Sequence, residues 1–543
     1  MRGHTQRRGV PPSIFRREFV NASPAPAPAA GAPEKIDASV LKLAGVVVLG
    51  SIMAILDITV VNVAMPTFQS EFGVANYSTV AWTVTAYTLA LATVIPLTGW
   101  AADRFGTKRL YMMALLLFTA GSVLCALSWN IGALIGFRVI QGLGGGMLMP
   151  LGMTIMTKAA GPERMGRLMA ILGVPMLLGP ILGPILGGWL IEDASWHWIF
   201  LINLPLGAIA IVYAWFALPK DEAQPTEKFD FVGMLMLSPG LALFLYGISS
   251  IPEEGTVNTP KVWATMLVGG ALVAAFIVYS FKPKNPLLDL RLFQNRDLTV
   301  ATITMFLFSA SFFGGLLLIP TYFQQVRGES ALMAGLLVAP QGLGSLLTMP
   351  IAGMLVDKVP VGRVVPVGLA ILTTTMFGLT QIGSDSSYFY VLSVLFVMGL
   401  GMGLTMMPLM TAALRTLKEA QVARGSTLLN IVQQIASSVG VAVISVVLTN
   451  RMQSSEAVSA GQAMMEAQKT GAQPDPSVLQ YLASLGDKFE AVMLGEMADA
   501  YATSFWVAFV LCVVTVIFSL LLPRKASSVP KTGENAPAPV LMH

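Results

Sequence analysis

Fourteen runs of mostly apolar residues, each close to the length that crosses a lipid bilayer, constrain this chain more than any other feature. They lie near 43–65, 79–101, 109–128, 131–157, 168–190, 198–218, 231–250, 262–281, 298–323, 331–356, 364–382, 387–414, 426–449 and 502–522. A spanning helix needs about 20 such residues. Only 11% of the 543 residues are charged and 55% are hydrophobic, whereas about a quarter of an ordinary globular chain is charged. A water-soluble fold could not cover so much apolar surface. The expected fold is therefore an all-α membrane protein with fourteen transmembrane helices.

Charge orients these spans. An even number of crossings places both termini on one side. With that side taken as cytoplasmic, the inner segments hold 27 of the 33 Lys and Arg residues. The outer loops hold Lys261, Arg327, Arg451, Lys469 and Lys488, and Arg138 lies within a predicted span. This bias follows the positive-inside rule, and one missed or invented span would invert every later loop. A multi-pass protein of the inner (plasma) membrane with both termini cytoplasmic is expected. The net charge of +4 is what the asymmetry leaves over, with no nucleic-acid footprint in it.

Residues 1–40 carry Arg7, Arg8, Arg16 and Arg17 and then a Pro/Ala stretch from Ala22 to Pro33. No apolar core follows closely enough for a cleaved signal peptide, so a disordered cytoplasmic tail is predicted. Residues 524–543 form a second tail. Cys125 and Cys512 fall within spans, and none of His4, His197 and His543 sits mid-membrane. Neither a disulfide framework nor a metal or other cofactor is expected.

The chain repeats itself weakly. Gly99-Trp-Ala-Ala-Asp103-Arg104-Phe-Gly106-Thr-Lys108-Arg109 follows the second span, and Gly353-Met-Leu-Val-Asp357-Lys358-Val-Pro-Val-Gly362-Arg363 follows the tenth. Gly142-Leu-Gly144-Gly-Gly-Met-Leu-Met-Pro150 in the fourth span returns as Gly399-Leu-Gly401-Met-Gly403-Leu-Thr-Met-Met-Pro408 in the twelfth. Duplicated motifs at similar offsets suggest two six-helix bundles, an arrangement suited to alternating access. The expected domains are a bundle over 41–218, two inserted helices with linkers over 219–290, and a bundle over 291–523 that includes an external loop at 451–500. That loop holds an amphipathic stretch, Val478 to Leu494, which reads first as a tethering helix and second as a cap over the external mouth.

Five motifs in order give the chain a family resemblance. Leu56-Asp57-Ile-Thr59-Val-Val-Asn62-Val-Ala64-Met65-Pro66 lies in the first span, Gly99 to Arg109 follows the second, and Arg138-Val-Ile-Gln141-Gly142 lies in the fourth. Gly179-Pro180-Ile-Leu-Gly183-Pro184-Ile-Leu-Gly187-Gly188 lies in the fifth, and Trp196-His197-Trp198-Ile-Phe200-Leu-Ile-Asn203-Leu-Pro205-Leu-Gly207 follows it. Over residues 40–522 the chain resembles the fourteen-helix drug:proton antiporter branch of the major facilitator superfamily, the QacA/EmrB-like transporters.

Asp57 carries the most pointed chemistry. A charged carboxylate at the membrane interior costs about 2.5–3.5 kcal/mol on insertion scales, so it is a functional candidate by default. A low-dielectric setting favours the neutral carboxyl, which is what proton uptake needs. The alternative is a carboxylate permanently paired with a neighbour. Arg138 cannot usefully deprotonate; it either tunes a nearby acid or ties a buried hydrogen-bond network between the first and fourth spans. The resemblance implies proton coupling or cation recognition for Asp57, and a part in proton transfer for Arg138.

The Gly99–Arg109 turn reads as a cytoplasmic gate. Gly99 lets helices approach, Gly106 permits the tight turn, and Asp103 can accept from Arg104 or from a facing helix N-terminus. Lys108 and Arg109 complete the cluster. By resemblance, this cluster latches the two halves in the outward-facing state. In the fifth span, Gly179, Gly183, Gly187 and Gly188 allow close backbone contact while Pro180 and Pro184 remove hydrogen bonds, which makes a pliant helix that the family associates with export. A binding cavity is expected near Asn62, Gln141, Asn430, Gln433 and Gln434, polar groups that must face a wet cavity or another helix.

The expected function is secondary active export of drugs or other lipophilic small molecules against protons. The expected partners are that substrate, protons and membrane lipid, for a chain acting as a monomer. The runner-up is a dedicated exporter of one endogenous metabolite, lipid or siderophore. An integral-membrane enzyme would need an acid/base or metal constellation near the interface. No His/Asp pair, Cys cluster or nucleotide-binding loop is present to supply one. A receptor would need neither intramembrane charges nor duplicated gates.

Overall fold

The computed structural model describes residues 38–524, apart from 75–76, 221–228, 255, 257, 285, 416, 418–420 and 471–474. Of the expected N-terminal tail over 1–40, residues 38–40 already belong to the first helix and the rest lie outside the described residues, as does nearly all of the C-terminal tail. Among the described residues, seventeen α-helices follow one another: α1 Ala38–Glu71, α2 Tyr77–Phe105, α3 Thr107–Ala126, α4 Ile131–Asp193, α5 His197–Leu201, α6 Asn203–Ala217, α7 Phe231–Glu254 and α8 Pro260–Ser280. Then come α9 Arg296–Gln325, α10 Ala331–Lys358, α11 Val361–Leu379, α12 Tyr388–Gly403, α13 Met406–Arg415, α14 Val422–Ser454, α15 Glu456–Thr470, α16 Pro476–Leu485 and α17 Phe489–Ser519. Among the described residues, 13 helical stretches are long and apolar enough to cross a membrane.

The fourteenth crossing is hidden in α4. This helix runs for 63 residues, about 95 Å at 1.5 Å per residue, three times the hydrocarbon thickness. Its packing on α1 shows that it doubles back. Gly152 lies against Val47 while Arg138 reaches Asp57, so this leg runs antiparallel to α1. Gly179, Gly183 and Gly187 lie against Ile55, Thr59 and Val60, so that leg runs parallel to it. The chain thus reverses between Gly152 and Gly179 without leaving helical backbone, where a loop at 158–167 was expected.

Two other spans break where a proline removes a hydrogen-bond donor. Pro205 cannot donate to the carbonyl of Leu201, and the chain breaks at Ile202 between α5 and α6. Pro408 likewise leaves the carbonyl of Leu404 without its usual donor, and the helix breaks between α12 and α13.

The duplicated glycines do the same work twice. A β-carbon on Gly142 would strike the backbone of Tyr87 in α2, and one on Gly144 would strike Phe118 in α3. In the second copy, Gly399 faces Gln341 of α10 and Gly401 faces Gly368 of α11. Each fourth-position helix therefore packs its first glycine on the second helix of its group and its next on the third. Close backbone approach of this kind replaces the hydrophobic drive that lipid cannot supply. Phe216 and Phe389, each 81% exposed, stand on the outer surface, where lipid is the solvent.

α7 follows α2 along its length, and α8 packs on α7. Trp100 meets Phe229, the Ser238 hydroxyl donates to the Thr93 carbonyl at 2.8 Å, and Trp82 stacks on Tyr246. Leu237 and Leu241 of α7 also pack with Ile95 of α2 and with Leu428 and Ile431 of α14. Asp230 fixes the base of the pair, accepting from Gly233 N, Tyr279 Oη and Leu287 N.

Much of the expected loop at 451–500 is helical. α14 runs on to Ser454 and α17 begins at Phe489. α15 packs between them, with Ala457, Val458 and Ala460 buried and the Ser455 hydroxyl donating to Glu496 Oε2. The stretch from Val478 to Leu494 is divided at Gly486, whose φ of 50° favours glycine. Its first part, α16, buries none of its residues.

Candidate functional site

Asp57 and Arg138 are brought together at the centre of the first helical group, 2% and 0% exposed. Arg138 Nη1 donates to Asp57 Oδ2 and, at 2.8 Å, to Gln141 Oε1. Gln141 Nε2 donates to Asp57 Oδ1 at 2.7 Å. These three side chains close a ring. Arg138 Nε donates to the Thr83 carbonyl at 2.9 Å, and the guanidinium carbon lies 4.2 Å from the centre of the Tyr87 ring. The ring is held from outside by Ser122, which accepts from Gln141 Nε2 at 2.7 Å and from Asn203 Nδ2 at 2.9 Å. Asn203 Nδ2 also lies 3.4 Å from Asp57 Oδ1.

The donor inventory of this ring assigns a protonation state. Every described atom that hydrogen-bonds Asp57 is an N–H donor: Arg138 Nη1, Gln141 Nε2 and Asn203 Nδ2. A carboxylate satisfies all of them, because it only accepts. A protonated Asp57 would present its own O–H to donors, so the arrangement belongs to the ionised form. Two charges withdrawn this far from water persist only when paired and hydrogen-bonded.

Four elements deliver these groups. α1 supplies Asp57, α3 Ser122, the first leg of α4 Arg138 and Gln141, and the start of α6 Asn203. Arg138 and Gln141 stand three residues apart and so share one helix face. Gln141, expected on a cavity wall, is instead fully buried in the ring. Ser122, Asn203, Thr83 and Tyr87 were not singled out as site residues, although Asn203 lies within one of the quoted motifs.

At the far end of α2, Gly106 has a φ of 89° and turns the chain directly into α3. Lys108 Nζ donates at 2.7 Å to the carbonyls of both Trp215 and Leu218, capping the C-terminal end of α6. Asp103 Oδ2 lies 3.9 Å from Arg424 Nε, in the first turn of α14. This contact is with a side chain that was not among the partners foreseen for Asp103. Further contacts join the two helical groups on this side: the Thr154 and Ser426 hydroxyls lie 3.1 Å apart, and Gly173 lies against Met349 and Met407. The matching turn in the second half is built differently, with Gly362 N donating to the Pro523 carbonyl at 3.2 Å.

In the second leg of α4, Gly179, Gly183 and Gly187 form a stripe on α1, and the Thr59 hydroxyl donates to the Gly179 carbonyl at 3.1 Å. Gly188 lies off the stripe, with open space where its β-carbon would be. The backbone at Pro180 and Pro184 is helical, and their side chains lie outside the described residues. Gly183→Leu should wedge α4 from α1, because any β-carbon there overlaps Thr59 Oγ1. We expect a marked loss of folded protein by size-exclusion in detergent, whereas Gly188→Leu should leave the yield unchanged.

The remaining cavity candidates are dispersed. Asn62 is exposed, while Asn430, Gln433 and Gln434 are partly exposed on α14. Asn430 Nδ2 donates to the Ser426 carbonyl at 2.8 Å and lies 3.2 Å from Met153 Sδ across the two groups.

Residues 47–441 match the family model described as Major Facilitator Superfamily. The chain is 46% identical over 502 residues to "Multidrug resistance protein B homolog" of Mycobacterium tuberculosis (strain ATCC 25618 / H37Rv), covering 91% of this chain and 92% of that one. It is 32% identical over 405 residues to "Multidrug export protein EmrB" of Haemophilus influenzae, covering 74% and 79%. Among solved structures, the proton:xylose symporter XylE aligns with a TM-score of 0.57 at 16% identity, covering 89% of this chain and 96% of that one. The human organic anion transporter MFSD10 aligns at 0.56 and 16%, covering 87% and 99%.

Proposed function

The chain belongs to the Major Facilitator Superfamily, and we propose that it exports drugs or other lipophilic small molecules in exchange for protons. As a member of that family it is a multi-pass membrane transporter and not an enzyme. The names of its relatives support the drug-export reading. The observation that carries the proton reading is the ring around Asp57, in which every described partner donates. Uptake of a proton at Asp57 removes the charge that holds Arg138 and leaves a donor facing donors. The helices that carry the ring, α1 and α4, must then readjust. The same two helices are joined along the Gly179–Gly187 stripe, so a change at Asp57 reaches the leg of α4 that meets the other group at Met349 and Met407.

Everted vesicles test this reading. They should accumulate dyes or drugs when energised and lose that ability when a protonophore is added. Accumulation that survives the protonophore would remove the proton exchange.

The contacts at the Asp103 end support a conformation closed there. With the basic loops cytoplasmic, this is the outward-facing state, and substrate leaves from the opposite end. Asp103→Asn should leave insertion unchanged and weaken efflux modestly. The Asp103 and Arg424 side chains are 33% and 20% exposed, and such pairs contribute about 0.2–1 kcal/mol, so a loss of up to about fivefold is expected. Efflux at the wild-type rate and expression would remove the latch.

Both termini are read as cytoplasmic from the charge bias. A reporter fused after Lys525 should report cytoplasmic and one fused near Gln473 external. An external signal at Lys525 would mean that one crossing is miscounted.

A further inference from the structure

The ring accounts for ionised Asp57 and offers its protonated form no acceptor as it stands. We infer that Asn203, backed by Ser122, is the positioning residue that receives the Asp57 proton-bearing oxygen and thereby sets the proton affinity of the site. This rests on the reading of Asp57 as the proton carrier.

Asn203 is suited by chemistry and place. It is 2% exposed and opens α6, just after the break at Ile202, and its amide nitrogen already faces Asp57 Oδ1 and Ser122 Oγ. An amide carries a carbonyl acceptor and an NH₂ donor on the same carbon. Turning the Asn203 amide about its last side-chain bond exchanges the two, so its Oδ1 would face Asp57 in place of Nδ2. The oxygen is available for this, since it accepts from none of the described residues, whereas Nδ2 makes both of the contacts.

Ser122 can follow the exchange. It now accepts from Gln141 Nε2 and Asn203 Nδ2, and a hydroxyl can also donate, so it can turn its hydrogen toward the new oxygen. The relay therefore has two settings of equal geometry and opposite polarity. In one, Asn203 donates to a carboxylate and to Ser122. In the other, it accepts from a carboxylic acid and from Ser122. Arg138 has no such second setting, because guanidinium has no acceptor.

The other groups around Asp57 leave this role open. Arg138 faces it from α4, together with the Gln141 amide, whose oxygen accepts from Arg138 Nη1 and from Cys125 Sγ. α2 presents the Tyr87 ring to the guanidinium, and α3 presents Cys125 and Ser122. α5 places Phe200 5.9 Å from the guanidinium carbon, and His197 of α5 stacks on Trp196. The second leg of α4 meets α1 with the glycine stripe and its carbonyls. Among these described neighbours, Asn203 alone bonds Asp57 while keeping an unused acceptor on the same group.

The test is the pH dependence of drug accumulation in everted vesicles. Replacing Asn203 by leucine removes both polarities in a similar volume. If Asn203 serves the protonated acid, the midpoint of the profile moves toward acid by about one pH unit, a tenfold rise in the proton concentration required. Ser122→Ala, a smaller change that keeps the backbone, should move it the same way by less. Asn203→Gln, which keeps an amide, should restore much of the wild-type midpoint. A midpoint that moves toward alkali would show that Asn203 serves only the ionised form, and an unmoved midpoint in Ser122→Ala and Asn203→Leu would show that the pair is structural. Either result overturns the inference. Should Asn203→Leu fail to insert, the Ser122→Ala midpoint decides. Asp57→Asn separates the two levels of the argument: if it keeps the wild-type profile, the reading of Asp57 itself has failed. If it loses the profile while the other variants do not shift toward acid, only the role of Asn203 has.

Discussion

Asp57→Asn should abolish accumulation of substrate against a gradient while the protein still inserts and folds. Asparagine keeps the size of the side chain and one acceptor oxygen, and Arg138 Nη1 and Gln141 Nε2 keep Gln141 Oε1 and Ser122 Oγ as acceptors. What it lacks is a site that gains and loses a proton. Each 100 mV of membrane potential is worth about 2.3 kcal/mol per charge, and a transporter harnesses the proton gradient only through a group that binds and releases protons. Downhill exchange of one substrate molecule for another needs no proton cycle. We therefore expect substrate counterflow to persist in Asp57→Asn and uphill efflux to vanish. Uphill efflux that persists and remains sensitive to a protonophore would place the proton elsewhere and leave Asp57 structural.

Arg138→Met should damage the fold. Methionine fills much of the volume and keeps an apolar contact with Tyr87, whose ring lies 4.2 Å from the guanidinium carbon. It leaves the Asp57 carboxylate buried without its counter-charge, and removal of one partner from a buried pair costs about 3–5 kcal/mol. The melting temperature in detergent should fall clearly, along with the amount of inserted protein. Combining Asp57→Asn with Arg138→Met removes both charges, so the double variant should recover much of that stability without recovering proton-driven efflux. The two changes share one network, and a coupling of about 0.5–3 kcal/mol is expected between them. Additive losses would mean that the two residues do not stabilise one another.

The lone charges were legible because lipid penalises them: Asp57 and Arg138 stand out in apolar runs, and a tie between the first and fourth spans was one of the readings open for Arg138. Neutral polar residues carry a smaller penalty and are more numerous, so it singles out fewer of them. Ser122 and Asn203 are ordinary in composition, and only the fold shows that they meet at Asp57. Gln141 carried a usable signal, since its spacing from Arg138 places both on one face, but polarity alone does not say whether a helix face looks into a cavity or into a packed network. Gly106 was legible as a tight turn, and its positive φ bears that out. The contact of Asp103 with Arg424 was not readable, because Arg424 lies more than three hundred residues away in the chain and meets it only through the packing of α14 on α2.

Span number was legible for a different reason. Bilayer thickness sets the length of every apolar run, so the crossings could be counted before any contact was known. The continuous helical path through α4 was not legible, since Gly161-Pro162 between two apolar runs reads as a loop signal, and the backbone there is helical nevertheless. The repeat was visible as two weak motifs, and its meaning emerged only when Gly142 and Gly144 were seen to face α2 and α3 as Gly399 and Gly401 face α10 and α11.

The most direct measurement is proton release from the purified protein when a transported drug is added in weakly buffered detergent solution. The account places the exchangeable proton on Asp57, so the wild-type protein should release protons on binding, and Asp57→Asn should bind the drug and release none. Equal proton release from both proteins would contradict it.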